Sequence, residues 1–479
     1  MIDWHLKHEK YGCVPWAVQR EALNRSEGKY RYAHFLEQGL GKTPLVLNEF
    51  IHYCKLGVVD TLFIVCPESF KLSWIEALKE WGLINLPAKV WPESFPIGAS
   101  VAAYVINWEA IRTEFALKFI AKLKRKVFLV LDETSYIKNP AAQVTKRAMQ
   151  ISRGARMVRL LNGTPQTSSV VDYYGQLKCL NELEGLLVTA FKGRFAQTTW
   201  REIKILGGHG ETRQVPVITG TKNGEELAKI LARCSFRATK AEWRKDLPPR
   251  IISTVRVAMT PTQKRHYAEM RKEFLTIIKG EKVKADLVLT QMAKLRQISS
   301  GIIISDGKET RIEEITSNPK FSAFLDLYNG QKNKIIVVHN YKLTGKMLGE
   351  FLTLEKIKWA YIKGQMDNVE LERQKDLFNS NPEYRVMLCQ QAAACMGHTL
   401  LGGTGDDRCN GMIFVENSFS LRDRLQMLDR NHRGEQDQAC VVYDLVASTT
   451  EQKIIRALNE NKALADMVDE LVAALDKGD

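Results

Sequence analysis

Phe35-Leu36-Glu37-Gln38-Gly39-Leu40-Gly41-Lys42-Thr43 is the stretch on which the reading of this chain turns. An apolar pair runs into a glycine-containing loop, and a helix-like run from Leu45 to Ile51 follows. Such glycines let main-chain N–H groups wrap an anion while a helix N-terminus adds positive potential. The lysine can then reach the outer phosphate oxygens, and the threonine hydroxyl can hold Mg²⁺. Leu36 stands where the full pattern G-x-x-x-x-G-K-[ST] has its first glycine, so the loop alone reads either as a phosphate loop or as coincidence.

Ninety residues on, the apolar run Val127 to Leu131 leads straight into Asp132-Glu133. A strand end places one carboxylate to hold Mg²⁺ and the other to orient an attacking water. A solvated acidic turn is the plainer alternative. The upstream loop and the intervening β-α-β spacing favour the first reading, because parallel sheets bind ligands beyond the carboxyl ends of their strands.

Working outward, short β-branched runs alternate with helical stretches: Thr61 to Cys66, Val101 to Ile106, Val127 to Leu131 and Met157 to Leu161. A second set follows at Lys334 to Val338, Arg385 to Cys389, Met412 to Val415 and Cys440 to Val446. This rhythm predicts an α/β chain with two lobes, each a parallel sheet covered on both faces. Between the sets lie helix-prone charged segments at Gly224 to Ala232, Thr262 to Ile278 and Ala285 to Ile298, and Thr198 to Thr221 reads as a hairpin or insertion. Leu247-Pro248-Pro249 reads as a boundary.

The 479 residues are 45% hydrophobic and 26% charged, which excludes disordered, collagenous and coiled-coil chains. No apolar run approaches the roughly 18 residues of a membrane span, and the N-terminus lacks a secretory h-region. The nine cysteines include no C-x-x-C pair, which points to a reducing compartment. Of the net charge of +14, residues 101 to 300 carry 36 Lys/Arg against 17 Asp/Glu, while the remainder is slightly acidic. Localised positive charge attracts a polyanion through counterion release, although a solvated basic surface accounts for it equally well. The cluster Lys122 to Lys126 reads as a surface helix end.

Taken together, Glu37 to Thr43, Asp132-Glu133-Thr134-Ser135-Tyr136-Ile137-Lys138-Asn139 and Asn162-Gly163-Thr164-Pro165 resemble motifs I, II and III of helicase superfamily 2. The Ile-Lys-Asn tail after the acidic pair, and Gln426-Met427-Leu428-Asp429-Arg430-Asn431-His432-Arg433-Gly434-Glu435-Gln436 as motif VI, narrow the resemblance to the SWI/SNF-type double-stranded DNA translocases. Smaller echoes fall in order: Gln19, Pro67 with Trp74, Asn107-Trp108-Glu109, Leu247 to Arg250, Leu295-Arg296-Gln297 and Gly397-His398-Thr399. The resemblance implies two RecA-like lobes with an ATP cleft between them and helical insertions mid-chain. The expected first lobe is residues 1–235 (motifs Q to III), with an insertion from about 171. The expected second lobe is residues 236–479 (motifs IV to VI), with an insertion at about 260–330.

By that resemblance, Gly39, Gly41, Lys42 and Thr43 hold ATP, Thr43 and Asp132 hold Mg²⁺, Glu133 positions water, and Gln426 belongs to the catalytic set with the arginine fingers Arg430 and Arg433. Gln19 is the candidate for adenine recognition. Ser69, Asn107, Lys363, Gln391 and Thr399 are candidate DNA-backbone contacts, whereas Trp74 and Trp108 read more readily as sheet-covering residues than as base-stacking ones. The chain departs from the family pattern at Thr134-Ser135, Asn162 and Arg433-Gly434-Glu435-Gln436, positions that couple hydrolysis to movement. The implied activity is DNA-stimulated ATP hydrolysis driving movement along duplex DNA. A strand-separating helicase on forks, branched DNA or RNA, with a wedge at Thr198 to Thr221, is one alternative; an ATP-gated scaffold that does not move is the other. Histone-reading appendages are not expected. A monomeric, minimal bacterial or viral motor is expected, in the cytoplasm of a bacterial cell or phage-infected host, with no membrane partner.

Overall fold

The structure, a computed structural model, describes residues 2–8, 12, 14–83, 85–92, 102–123, 126–166, 169–204, 212–280, 285–305, 308–394 and 399–459. It divides into two units, residues 1–200 with 216–245 and residues 201–215 with 246–479.

The first unit carries β1 (Arg31–Leu36), β2 (Thr61–Cys66), β3 (Ala88–Val90), β4 (Ala102–Asn107), β5 (Val127–Asp132) and β6 (Met157–Leu161). Next come β7 (Ala196–Lys204) and β8 (Thr212–Thr221), each divided between the two units, and then β9 (Ser235–Ala238). Seven of these form one parallel sheet in the order β3-β4-β2-β5-β6-β1-β9. Its strands read as unbroken apolar runs because both faces are covered. Leu62, Ile64, Phe128 and Val130 point into one core, with Leu45, Phe50 and Trp74. Their neighbours Phe63, Val65, Leu129 and Leu131 point into the other, with Tyr104, Trp108 and Ile151. The helices α1 (Ala17–Ser26), α2 (Lys42–Lys55), α3 (Lys71–Glu80), α4 (Phe115–Leu123), α5 (Gln143–Gly154) and α6 (Asp172–Cys179) include those supplying these covers.

One polar cluster crosses this core. Glu49 of α2 accepts from Ser26 Oγ at 2.7 Å and from Arg159 Nε at 2.9 Å, and its other oxygen lies 2.9 Å from His34 Nε2, all fully buried.

The second unit carries β10 (Arg250–Arg256), β11 (Ile302–Ser305), β12 (Lys308–Arg311), β13 (Lys334–His339), β14 (Trp359–Ile362), β15 (Val386–Gln390), β16 (Cys409–Phe414) and β17 (Cys440–Val446). Six make a parallel sheet, β10-β17-β16-β13-β15-β14, and β11-β12 is an antiparallel pair. Period-2 alternation again splits the core: Ile336, Val338, Met387 and Cys389 face one side, Ile335, Val337, Val386 and Leu388 the other. The helices Pro261–Gly280, Ala285–Ser299 and Thr449–Asn459 share a separate small core of Phe274, Met292, Leu295, Ile454 and Leu458.

The expected boundary at 235/236 is displaced. Ala33 to Leu36 of β1 pair in parallel with Ser235 to Ala238, so β9 completes the first sheet and that unit runs on to Lys245, next to the Leu247-Pro248-Pro249 segment. The expected first insertion also starts too early, because Tyr173 and Leu177 of α6 are buried in the sheet's own core. Thr198 to Thr221 does contain a hairpin, as β7 and β8 form a sheet of their own with Trp200 67% exposed. Of the basic cluster, Lys124 and Arg125 lie outside the described residues, as do Gly397 and His398.

Candidate active site

The loop after β1 owes its shape to two glycines with left-handed backbone, Gly39 at φ 83° and Gly41 at φ 75°. At Gly41 the left-handed φ itself favours glycine, and a Cβ there would also push the Gln19 amide aside. No side chain caps α2, which leaves the positive end of this 14-residue helix to an anion. Lys42 Nζ donates to Leu36 O across the loop at 2.7 Å. Gln19 is buried and both ends of its amide are engaged: Nε2 donates to Gly41 O at 3.0 Å and Oε1 accepts from Trp16 N at 2.8 Å. Through those two bonds it braces the loop.

Two strands from β1, β5 delivers Asp132 and Glu133. Both are buried. Glu133 holds a left-handed backbone, φ 57° and ψ 58°, which a non-glycine residue adopts at a cost and which clusters at functional sites. Ser135 Oγ donates to Glu133 Oε1 at 2.9 Å. Burial, and then the neighbouring Glu133 charge, push the Asp132 carboxyl up to about 6, against the pull of Lys42. Two buried carboxylates at the end of β5 are hard oxygen donors of the kind a divalent cation takes, so the residues present suit Mg²⁺. Trp74 and Trp108 are buried as expected, and each indole points at this pair. Trp74 Nε1 donates to Asp132 Oδ2 at 3.1 Å and Trp108 Nε1 to Asp132 O at 2.9 Å.

Between β1 and β5 runs β6, which ends on Asn162-Gly163-Thr164-Pro165. Three residues that depart from the family pattern are therefore neighbours of the loop and carboxylates. Asn162 Nδ2 donates to Thr134 Oγ1 at 3.2 Å, and Thr134 Oγ1 donates to Gln176 Oε1 at 3.0 Å. Gln176 Nε2 returns to Pro165 O at 2.8 Å, closing the circuit. Gln176 lies in α6 outside any recognisable motif, and only the odd Thr134 hinted that a partner was needed.

Of the candidate DNA contacts on this unit, Ser69 sits half-buried in the short helix Glu68–Phe70, and Asn107 ends β4 with its Nδ2 on Glu109 Oε2 at 3.1 Å.

In the second unit the helix Leu421–Leu428 leads into the motif VI arginines. It is pinned to β17 by a buried bidentate pair, Arg424 Nη1 and Nη2 on Asp444 at 2.8 and 2.7 Å, which sequence reading missed because nothing links the two positions along the chain. Arg433 is partly exposed, with Nη1 on Thr399 Oγ1 at 2.9 Å. Arg430 is fully buried, its Nε donating to Gln426 O at 2.8 Å, so the two expected fingers differ in access. Gln426 is buried alongside. Lys363 is exposed, with its ammonium 5.7 Å from the Tyr361 ring centroid. Gln391 corrects the expectation of a DNA contact: fully buried, its Oε1 accepts from Ser418 N at 2.8 Å, so it holds a turn.

A parallel sheet that gathers a phosphate-type loop and two carboxylates at one edge, followed by a second such sheet bearing an arginine motif, defines a helicase-type ATPase. Residues 34–301 match the SNF2-related domain, and residues 319–435 match the helicase conserved C-terminal domain. The chain belongs to the SNF2-related family, and as a helicase-type ATPase it is an ATP hydrolase. It is 23% identical over 450 residues to the TATA-binding protein-associated factor mot1 of Aspergillus fumigatus, covering 82% of this chain and 22% of that protein. It is 23% identical over 469 residues to the SWI/SNF-related matrix-associated actin-dependent regulator of chromatin subfamily A-like protein 1 of Xenopus tropicalis, covering 94% and 44%. Against the DNA repair and recombination protein RDH54 of Saccharomyces cerevisiae the identity is 22% over 441 residues, covering 84% and 44%. The chain thus spans less than half the length of these relatives. Among solved structures, the Sulfolobus solfataricus SWI2/SNF2 ATPase core in complex with dsDNA aligns with a TM-score of 0.43 at 20% identity, covering 93% of this chain and 91% of that one. No helix among the described residues is long and apolar enough to cross a membrane.

Proposed function

We propose that this protein couples ATP hydrolysis to movement along double-stranded DNA. The observation that carries the reading is the placement of the Gly41-Lys42-Thr43 turn and Asp132-Glu133 at the carboxyl edge of one sheet, with the Asn162 segment between them. Lys42 neutralises the outer phosphates, and the α2 N-terminus takes the remaining charge. Thr43 and Asp132 hold Mg²⁺, which when bound screens the phosphate oxygens. Glu133, fixed by its backbone and by Ser135, orients the attacking water. Arg433, the accessible arginine of the pair, is the candidate finger for the γ-phosphate. Arg430 supports the turn that carries Arg433. The central basic excess, with Ser69, Asn107, Lys363 and Thr399, supports contact with a phosphate backbone.

ATPase rates measured with duplex DNA, single-stranded DNA and RNA side by side test the substrate, and triplex displacement without unwinding tests the movement. Lys42→Ala abolishes turnover on this reading; full DNA-stimulated turnover in that variant refutes the site. A second reading, strand separation, is favoured by the β7-β8 hairpin and its exposed Trp200. Unwinding of a forked duplex in the same preparation would support it. ATP binding with neither displacement nor unwinding would support the immobile scaffold.

A further inference from the structure

The two indoles that meet at Asp132 come from opposite faces of the first sheet. Trp74 lies on α3, the helix after β2, and packs in one core; Trp108 follows β4 and packs in the other, stacked on Tyr136 at 5.6 Å with the rings 5° from parallel. Trp108 fixes the main chain at Asp132 through the carbonyl oxygen, and Trp74 fixes the carboxylate itself through Oδ2. An indole N–H is a neutral, donor-only group. It can hold the direction of a carboxylate while leaving its full negative charge for a cation, which a lysine or arginine in the same place would cancel. The large rings, 3% and 1% exposed, also prevent either donor from swinging away.

We propose that Trp74 is a positioning residue for the metal-bound nucleotide, aiming the Asp132 carboxylate at the divalent cation, with Trp108 locking the main chain beneath it. The inference rests on the assignment of Asp132 as a metal-holding residue. It also joins the Ser69 and Asn107 segments physically to the metal-binding carboxylate, since α3 starts directly after the Glu68–Phe70 turn and Trp108 is the residue after Asn107.

The test is ATP affinity by calorimetry on the full chain, in Mg²⁺ and in EDTA, for the wild type and Trp74→Phe. Phenylalanine keeps an aromatic ring in the core and removes the donor. The expected result is an affinity in EDTA unchanged within about twofold and a Mg²⁺-dependent enhancement reduced about tenfold, the scale of one hydrogen bond to a charged group. An unchanged enhancement, or a parallel loss with and without Mg²⁺, overturns the positioning role. A wild type with no Mg²⁺ enhancement overturns the metal assignment as well, so the two failures are told apart. The indole N–H resonance of Trp74 in the wild type supplies a readout independent of the variant's folding. It should move when Mg²⁺·ATP replaces metal-free ATP, and a stationary resonance counts against the proposal.

Discussion

Asn162 donates its side-chain amide to the hydroxyl of Thr134 at 3.2 Å, joining the strand end after β6 to the segment that follows Asp132-Glu133. Both are fully buried, and both stand where the family pattern has other residues. The two departures meet: the amide at one position donates to the hydroxyl at the other, and that hydroxyl donates to Gln176 Oε1. Thr134→Val keeps the side-chain shape and leaves the Gln176 carbonyl and the Asn162 amide without this partner. It should cost about 2 kcal/mol in a urea melt, and it should lower DNA-stimulated turnover more than basal turnover. Equal loss in both rates would show that the circuit serves the fold alone.

The two motif VI arginines should separate cleanly. Arg433→Ala is expected to leave the melting curve and ATP affinity nearly unchanged while slowing hydrolysis about 10³-fold, the scale of a lost arginine finger. Arg430→Ala empties a fully buried site and should instead destabilise the second unit by about 3 kcal/mol. Comparing kcat, ATP affinity and thermal unfolding of the two variants decides the matter. An Arg430→Ala protein of normal stability that fails only in hydrolysis would reverse the assignment.

Glu49 provides a pH signature for the first unit. Burial raises its carboxyl, but Arg159, His34 and Ser26 outweigh burial and bring it down to about 2, from an ordinary 4.5. A depressed carboxylate contributes stability that is complete above its unfolded value and disappears as pH falls through its folded value. The gap in stability between wild type and Glu49→Gln, about 3 kcal/mol at pH 7 for a broken buried pair, should therefore shrink between pH 4.5 and pH 2. Melting temperatures of the two proteins across that window check it, and a gap that widens with acid would exclude the assignment.

If Lys363 meets a DNA phosphate, Lys363→Ala should weaken duplex binding and lower the slope of log affinity against log salt by about 0.9. Asn107→Ala, a neutral contact, should weaken binding with the slope intact. Fluorescence anisotropy over a salt series distinguishes them, and an unaltered slope in the lysine variant would remove it from the interface.

How much of this was legible follows from the range of the interactions. Strands such as Thr61–Cys66 and Val127–Asp132 show in the sequence because a doubly covered strand must be apolar throughout, and that pattern is local. β9 escaped notice because Ser235–Ala238 is four residues long and becomes a strand only by pairing with β1, some 200 residues earlier. Gly41 could be read because backbone conformation leaves its mark in residue type; Gln391 was misread because exposure leaves none.

The amino-acid order alone determined that two parallel-sheet units carry a phosphate-type loop, an acidic pair and an arginine motif, since each is a short-range pattern imposed by backbone geometry and hydrophobic periodicity. Tertiary structure alone decided which arginine reaches the surface, that Thr134, Asn162 and Gln176 close one circuit, and that two tryptophans from opposite cores aim at a single aspartate. Those contacts join residues tens of positions apart, and the stacking of strands in the order β4-β2-β5-β6-β1 brings them within a hydrogen bond of one another.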